Sequence, residues 1–297
     1  MKLSVIIPVY QSADTLPRCL QSVLSQHVDN IEVILVDDGS TDQSPQLCDE
    51  YARQHPAVSV VHQPNSGAAA ARNAGLAHAT GDYLVFIDSD DNLAPDTYRP
   101  LLAIAASHPE YDLIEYSITE RLADGSLRSF CTLPEQTFTS LSDYWLSTKA
   151  YRHTFVWNKL YRRELWNGVN FTTGTEPFED YALMNRLLPL CRCIRTTACG
   201  RHFYDRTDRL SLSHRATGHQ MELLLRESLK MMSHCVDKSF YEAVLNIQIT
   251  VCRQTHADPI LPVMPYRGSW KLTLMHLLGM QRFCQWMRLV PQCKKTT

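Results

Sequence analysis

Four short apolar runs in the first ninety residues, separated by polar turns and amphipathic stretches, constrain the fold more than any other feature of the chain. The first reads Leu-Ser-Val-Ile-Ile-Pro-Val over residues 3–9, nearly continuous and rich in β-branched residues, which is how a strand buried on both faces of a parallel sheet reads. Leu16, Cys19, Leu20, Val23 and Leu24 then fall at i, i+3, i+4, i+7 and i+8, one apolar stripe of a helix, with Ser12 or Asp14 standing where an N-cap would. Residues 31–36 repeat the strand pattern and end on the turn-rich cluster Asp37-Asp38-Gly39-Ser40-Thr41-Asp42. Residues 44–55 read as helix, 59–62 as a short strand, 67–79 as an alanine-rich helix and 83–87 as another buried strand. Strands alternating with helices in this way predict a doubly wound α/β sheet.

The 297 residues are 44% hydrophobic, enough to bury a sizeable core, and the formal net charge of −2 lacks the electrostatic footprint of a nucleic-acid binder. Ten scattered cysteines form no C-x-x-C pair, and Met1 and Lys2 run straight into a strand, so a reduced, cytosolic setting is expected. Cys191, Cys193 and Cys199 form the one cluster; lacking a fourth ligand at metal spacing, they read as small apolar packing residues. After about residue 115 the alternation weakens into strand-like segments at 113–119 and 155–161 and a helical stretch at 180–190. From Gly218 onward the chain reads as helical, and beyond Pro259 it carries six Lys and Arg with no Asp or Glu. The expected division is one α/β domain over 1–215 and a separate helical region over 216–297.

In open α/β sheets, ligands bind beyond the carboxyl ends of the strands. Asp88-Ser89-Asp90-Asp91 directly follows the strand Tyr-Leu-Val-Phe-Ile, so three carboxylates crowd one strand end and need a compensating charge. A hard divalent cation such as Mg²⁺ or Mn²⁺, held by one or two carboxylates plus substrate phosphate oxygens, supplies it. Asp37 and Asp38 end a second strand of the same sheet, which places two acidic strand ends on one edge.

Four motifs in order, Ser4-Val-Ile-Ile-Pro-Val-Tyr10, Val36-Asp-Asp-Gly-Ser-Thr-Asp42, Asn65-Ser-Gly-Ala-Ala-Ala-Ala-Arg-Asn-Ala-Gly75 and Gly81-Asp-Tyr-Leu-Val-Phe-Ile-Asp-Ser-Asp-Asp91, resemble the family 2 inverting glycosyltransferases of bacterial surface-polysaccharide type. The likeness runs more loosely through Trp157-Asn-Lys-Leu-Tyr-Arg-Arg163 and Phe178-Glu-Asp-Tyr181 to about residue 215. It implies a GT-A fold, a Rossmann-like mixed sheet flanked by helices, with residues 1–115 as the nucleotide-sugar half and 116–215 as the acceptor half. It further implies that Pro8, Val9 and Tyr10 line a nucleotide base, that Asp38, with Asp37 as the alternative, accepts a hydrogen bond from base or ribose, and that Arg72 lies near the diphosphate. Within the acidic cluster, Asp90 would bind the metal, Asp88 with the adjoining Ser89 would reach the ribose or sugar, and Asp91 would support the pair. Asp180 would be the base that deprotonates the acceptor hydroxyl, with Glu179 beside it. Trp157 would offer a face to a sugar ring, Lys159 an ammonium to a phosphate, and Arg206 would close over the diphosphate in a segment where Arg209 could take its place and Ser211 follows.

The resemblance thus implies a Mn²⁺- or Mg²⁺-dependent enzyme that moves a sugar with inversion from a nucleotide donor, most often uridine in the family, to a glycan or lipid-linked acceptor. The alternative from another class is a glycosyltransferase-like subunit that binds without catalysis. Dinucleotide-binding and phosphate-loop enzymes are excluded by the missing glycine signatures. The stretch 270–290 is interrupted by Lys271, His276, Gln281, Arg282, Gln285 and Arg288, so it does not read as a membrane span. Two readings stay open for it: a basic helix lying on the inner face of an anionic membrane, or a helix packed on the catalytic domain.

Overall fold

The computed structural model describes residues 1–122, 125–174, 177–205 and 216–290. The apolar runs become β1 (Leu3–Val9), β2 (Ile31–Asp37), β3 (Val58–His62) and β4 (Tyr83–Phe86), all parallel. Successive side chains of β1 feed different cores, Ile6 packing with Ile34, Leu84 and Phe86 on one face and Val5 and Ile7 with Val33, Leu35 and Val85 on the other. That burial on both faces is why these strands lack polar alternation. The crossover helices are α1 (Leu16–Leu24), α2 (Ser44–Gln54) and α3 (Ala68–His78). The stripe Leu16, Cys19, Leu20 and Val23 is buried as expected, but the N-cap is Thr15, without a side-chain bond. Ser12 serves α1 through its carbonyl, which accepts from the Leu16 amide at 2.9 Å.

The second half converts the parallel sheet into a mixed one. Its elements are β5 (Asn92–Leu93), α4 (Tyr98–Ser107), β6 (Leu113–Arg121), β7 (Leu127–Cys131), β8 (Gln136–Phe138), α5 (Leu141–Ser147), β9 (Lys159–Arg162), α6 (Glu179–Leu187) and β10 (Ile194–Asp205). Among the described residues the strand order is β3-β2-β1-β4-β9-β6-β10-β5, with β7 on β6 and β8 on β10. The four-residue β9 runs antiparallel to both β4 and β6 and is the seam between the halves. The strand expected at 155–161 begins only at Lys159, because the carbonyls of His153 and Phe155 turn inward to accept from the Lys159 ammonium at 3.0 and 2.7 Å. The helix expected at 180–190 ends as α-helix at Leu187 and closes with a 3-10 turn over Leu188–Leu190, where Pro189 has no amide to continue it.

The C-terminal helices are α7 (Gly218–Met232), α8 (Lys238–Thr255), α9 (Trp270–Leu278) and α10 (Met280–Leu289). A capping box between Thr217 and Gln220 opens α7. These helices share one apolar core with the second half of the sheet: Phe240 of α8 lies against Trp145 and Tyr151, ring centroids 5.7 and 4.9 Å apart. The stretch 270–290 is two helices, broken at Gly279, whose φ of 76° favours glycine. Arg253 donates to the carbonyls of Met287 and Val290, and Arg288 to those of Cys252 and Ala257, so the ends of α8 and α10 cap one another. Trp270, Leu277, Trp286 and Leu289 stay exposed on the outer side. Among the described residues no helix is long and apolar enough to cross a membrane.

Candidate active site

At the carboxyl edge of β1, Tyr10 is 52% exposed and Pro8 half-buried, so an aromatic ring and a flat pyrrolidine are both presented to a ligand. Val9 turns its side chain wholly into the core, so of this residue only the main chain lies at that edge. Asp37 and Asp38 organise the turns beside it. Asp38, 3% exposed, accepts from the Gln63 side chain and the Ser66 amide through Oδ1 (2.7 and 2.9 Å) and from the Gly67 amide through Oδ2 (2.8 Å). Those bonds tie down the turn that starts α3, and this geometry makes Asp38 an anchor of that turn, not the open acceptor the sequence suggested. Asp37 accepts from the Ser40 amide and pairs with His62 at 2.9 Å, holding that imidazole's pKa above its ordinary value. Gly39 is obligatory in this corner, because its φ is 69° and a Cβ there would meet the Asn65 amide nitrogen at 2.7 Å.

The acidic cluster after β4 splits its carboxylates between two directions. Asp91 is buried and its Oδ2 meets His202 Nε2 at 2.8 Å, a pairing set by the antiparallel register of β5 on β10. Ser89 is turned inward as well, its hydroxyl 2.7 Å from that of Ser12, which pins the acidic turn to the loop before α1. Its hydroxyl is therefore engaged within the chain. Asp90 is exposed and Asp88 keeps about a third of its side-chain surface, so these two face outward. Among the described residues no three His, Cys, Asp or Glu side chains form a cage of metal ligands. Two outward carboxylates fit a hard divalent ion whose other ligands are diphosphate oxygens and water.

Arg72 and the first turn of α6 complete the site. The Arg72 guanidinium, 6% exposed, donates to Asp88 Oδ1 at 2.8 Å and to Glu179 Oε1 at 3.3 Å. Burial works to lower its pKa, but Asp88, Asp180 and Glu179 together raise it further, so it stays a cation. Glu179 and Asp180 do not cap α6, whose N-cap is Phe178 without a side-chain bond. Asp180 accepts from the Val156 amide through Oδ2 at 3.2 Å, while Oδ1 is enclosed with no hydrogen-bond partner. Burial raises its pKa to about 7, Glu179 and Asp88 adding to the effect, against the pull of Arg72 and the Val156 amide. A carboxylate that titrates near neutrality is suited to general-base work.

The structure removes two expected ligand contacts. Lys159 is 1% exposed and its ammonium meets Glu115 at 2.7 Å, the Asn158 side chain at 2.8 Å and two main-chain carbonyls. It has no donor left for a phosphate. Trp157 is 4% exposed, stacked on Phe155 (4.8 Å) and Tyr204 (5.6 Å) and packed at 4.3 Å on His202, so its face is taken by neighbouring rings. Arg206, with Arg209 and Ser211, lies outside the described residues.

Sequence reasoning missed the network around Glu115. This fully buried carboxylate receives His153 (2.8 Å), Lys159, Asn158 (3.2 Å) and the Tyr144 hydroxyl (2.7 Å). Burial would raise its pKa, yet Lys159 and His153 hold it far below the usual carboxylate range. The available signal was a charge in the middle of the apolar run Leu113-Ile114-Glu115-Tyr116. The network fixes residues 153–158, and with them the Val156 amide that holds Asp180.

The family model of glycosyl transferase family 2 matches residues 4–175, and the chain belongs to that family. The minor teichoic acid biosynthesis protein GgaA of Bacillus subtilis (strain 168) is 30% identical over 211 residues, 68% of this chain and 46% of that protein. The chain spans about half the length of curated relatives it matches. S. aureus TarS 1–349 in complex with UDP-GlcNAc has the same fold, with a TM-score of 0.68 at 22% identity, covering 85% of this chain and 73% of that one. The mannosyltransferase PcManGT of Pyrobaculum calidifontis, in complex with GDP-Man and Mn²⁺, gives a TM-score of 0.60 at 17% identity, covering 97% and 86%. The chain thus carries a glycosyl transferase family 2 domain on a GT-A-like mixed sheet with flanking helices.

Lys159→Met leaves Glu115 charged in the core, and stability should fall by about 3–5 kcal/mol in urea unfolding. An unchanged midpoint together with lost nucleotide binding would return Lys159 to the phosphate role.

Proposed function

We propose that the chain is a metal-dependent, inverting glycosyltransferase that moves a sugar from a nucleoside-diphosphate sugar, a uridine nucleotide in first place, to a glycan or lipid-linked acceptor in cell-surface polysaccharide synthesis. The observation that carries this reading is the Arg72 bridge, which sets the outward carboxylate of the donor half beside the base pair Glu179-Asp180 of the acceptor half. The nucleotide sugars held by TarS and PcManGT support a donor of that class, and the role of GgaA supports a surface glycopolymer as acceptor. Residues 1–115 then form the donor half, 116–215 the acceptor half and 216–297 a helical region that braces it.

The half-buried Asp180 carboxylate takes the proton of the acceptor hydroxyl as that hydroxyl's oxygen bonds to the anomeric carbon. The bond from that carbon to the diphosphate breaks with its electron pair leaving on the nucleotide, which inverts the configuration. Arg72 holds a positive charge beside the reacting groups, and Tyr10 offers its ring to the base. Asp90, with Asp88 beside it, would hold a divalent ion at this edge, and that ion would supply positive charge against the diphosphate leaving group. Asp180 must be ionised to act, so its raised pKa places the acid limb of the rate profile near pH 7.

Calorimetric titration with UDP and Mn²⁺ separates the roles. Asp180→Asn should bind UDP as the parent does while transfer falls by about 10²–10⁴-fold; Asp90→Ala should lose metal-dependent UDP binding. Retained turnover in the first variant, or unaltered Mn²⁺-dependent affinity in the second, would reject the assignment concerned.

The exposed Trp270, Leu277, Trp286 and Leu289, on an acid-free run carrying Arg267 and Lys271, support peripheral contact of α9 and α10 with an anionic membrane. Sedimentation with phosphatidylglycerol vesicles should show binding that weakens as salt rises; binding indifferent to lipid charge and salt would refute it.

A further inference from the structure

A cluster of aromatic rings lies between the acidic turn and the base, and nothing in the nucleotide chemistry uses it. From Asp91 it runs through His202 (2.8 Å) to Trp157 (4.3 Å between centroids), then to Phe155 (4.8 Å) and Tyr204 (5.6 Å), and ends at Phe130, 5.9 and 6.1 Å from those two. Its other attachment is to the base, because Phe155 precedes Val156, whose amide binds Asp180. The buried Lys159 ammonium accepts no movement here, since it holds the Phe155 carbonyl itself.

Phe130 is placed outward by a specific device. In the β6–β7 ladder Ile118 pairs with Cys131 and Thr119 with Ser129, which leaves Phe130 as the extra residue of a β-bulge. Bulges bend a strand and re-aim a side chain, often next to an active site. Here the result is a phenylalanine 42% exposed on a strand whose residues 127–130 all face solvent, continued inward by the half-buried rings of Phe155 and Tyr204. A core would bury such a ring; a strand built only for solubility would not carry it.

On the glycosyl-transfer reading given above, we propose that Phe130 and Phe155, backed by Trp157 and Tyr204, form the stacking platform for the acceptor saccharide. The acceptor hydroxyl must reach Asp180, so the sugar that bears it lies beside the 155–156 segment, and the next sugar along the chain extends toward Phe130. The apolar C–H face of a pyranose matches an aromatic surface, while its hydroxyl rim remains solvated. The sequence placed the sugar on Trp157; the structure moves it outward, to the rings that Trp157 supports.

Saturation-transfer NMR on the full chain with UDP and Mn²⁺, against soluble oligosaccharides of glucose, N-acetylglucosamine, galactose and mannose, tests the platform. At least one saccharide should receive saturation on its C–H face, and Phe130→Ala or Phe155→Ala should weaken it about ten-fold, as expected when one well-packed aromatic contact is lost. UDP signals should be unchanged in both. Phe130→Ala removes an exposed ring and leaves the core intact, so it decides the matter if the second variant folds poorly. Saccharide signals insensitive to Phe130→Ala, or none in a parent that binds UDP, would overturn the platform. Failure of the parent to bind UDP would count against the donor site instead, and the saccharide signals would still report on the aromatic rings.

Discussion

Arg72 brings three carboxylates together that would otherwise repel one another. Asp88 comes from the end of β4 and Glu179 and Asp180 from the start of α6, and the nearly buried guanidinium binds the first two directly while lowering the charge cost of the third. Such an arrangement is stable only if both the cation and its partners are held in place, because removing either side strands buried charge. The scaffold does this from below. Asp38 fixes the turn from which α3 starts, and Gly75 lets α3 approach β1 so closely that a Cβ would lie 2.3 Å from Ile6 Cγ2. The position of one guanidinium thus depends on an aspartate turn, a missing methyl group and the packing of two chain halves.

The first half of the sheet was legible because its signals are local. β1, β2 and β4 announce themselves as uninterrupted apolar runs, and the α1 stripe buries where its period places it. Acidic residues at strand and helix ends were legible for the same reason: a carboxylate cluster that does not cap or pair nearby must be explained by something outside the sequence neighbourhood. What sequence could not resolve is which side of the chain a polar group faces. Lys159 and Asp38 are both polar residues near the right edge, yet their partners are Glu115 and the residue 63–67 turn, contacts made through the fold. Trp157 misled likewise, since an aromatic residue looks the same in sequence whether its face is open or, as here, stacked among Phe155, His202 and Tyr204. In the tail, Gly279 alone divides α9 from α10, a break the apolar pattern of 270–290 did not show.

Two network residues outside the motifs, Glu115 and His153, connect the interior to the chemistry. Their charge is balanced locally, so they contribute no field of their own at a distance. They set the backbone path of residues 153–158 instead, and that path delivers one amide to Asp180 and one ring to the aromatic cluster. Stability and positioning are here the same set of bonds.

The seam strand β9 has a consequence for the order of assembly. Parallel pairing among β1, β2, β3 and β4 uses chain from residues 3–86 only, so these strands and their helices can pair as soon as that stretch has been made. β9 supplies the antiparallel neighbour of β4 far later in the chain and simultaneously sets the register of β6. Long-range pairings of this kind form slowly, and until they do the edge of β4 is an open template for other strands. During synthesis the half built on β1 to β4 therefore precedes the half that carries Glu179 and Asp180, and the ribosome must deliver the chain beyond residue 162 before that edge is closed.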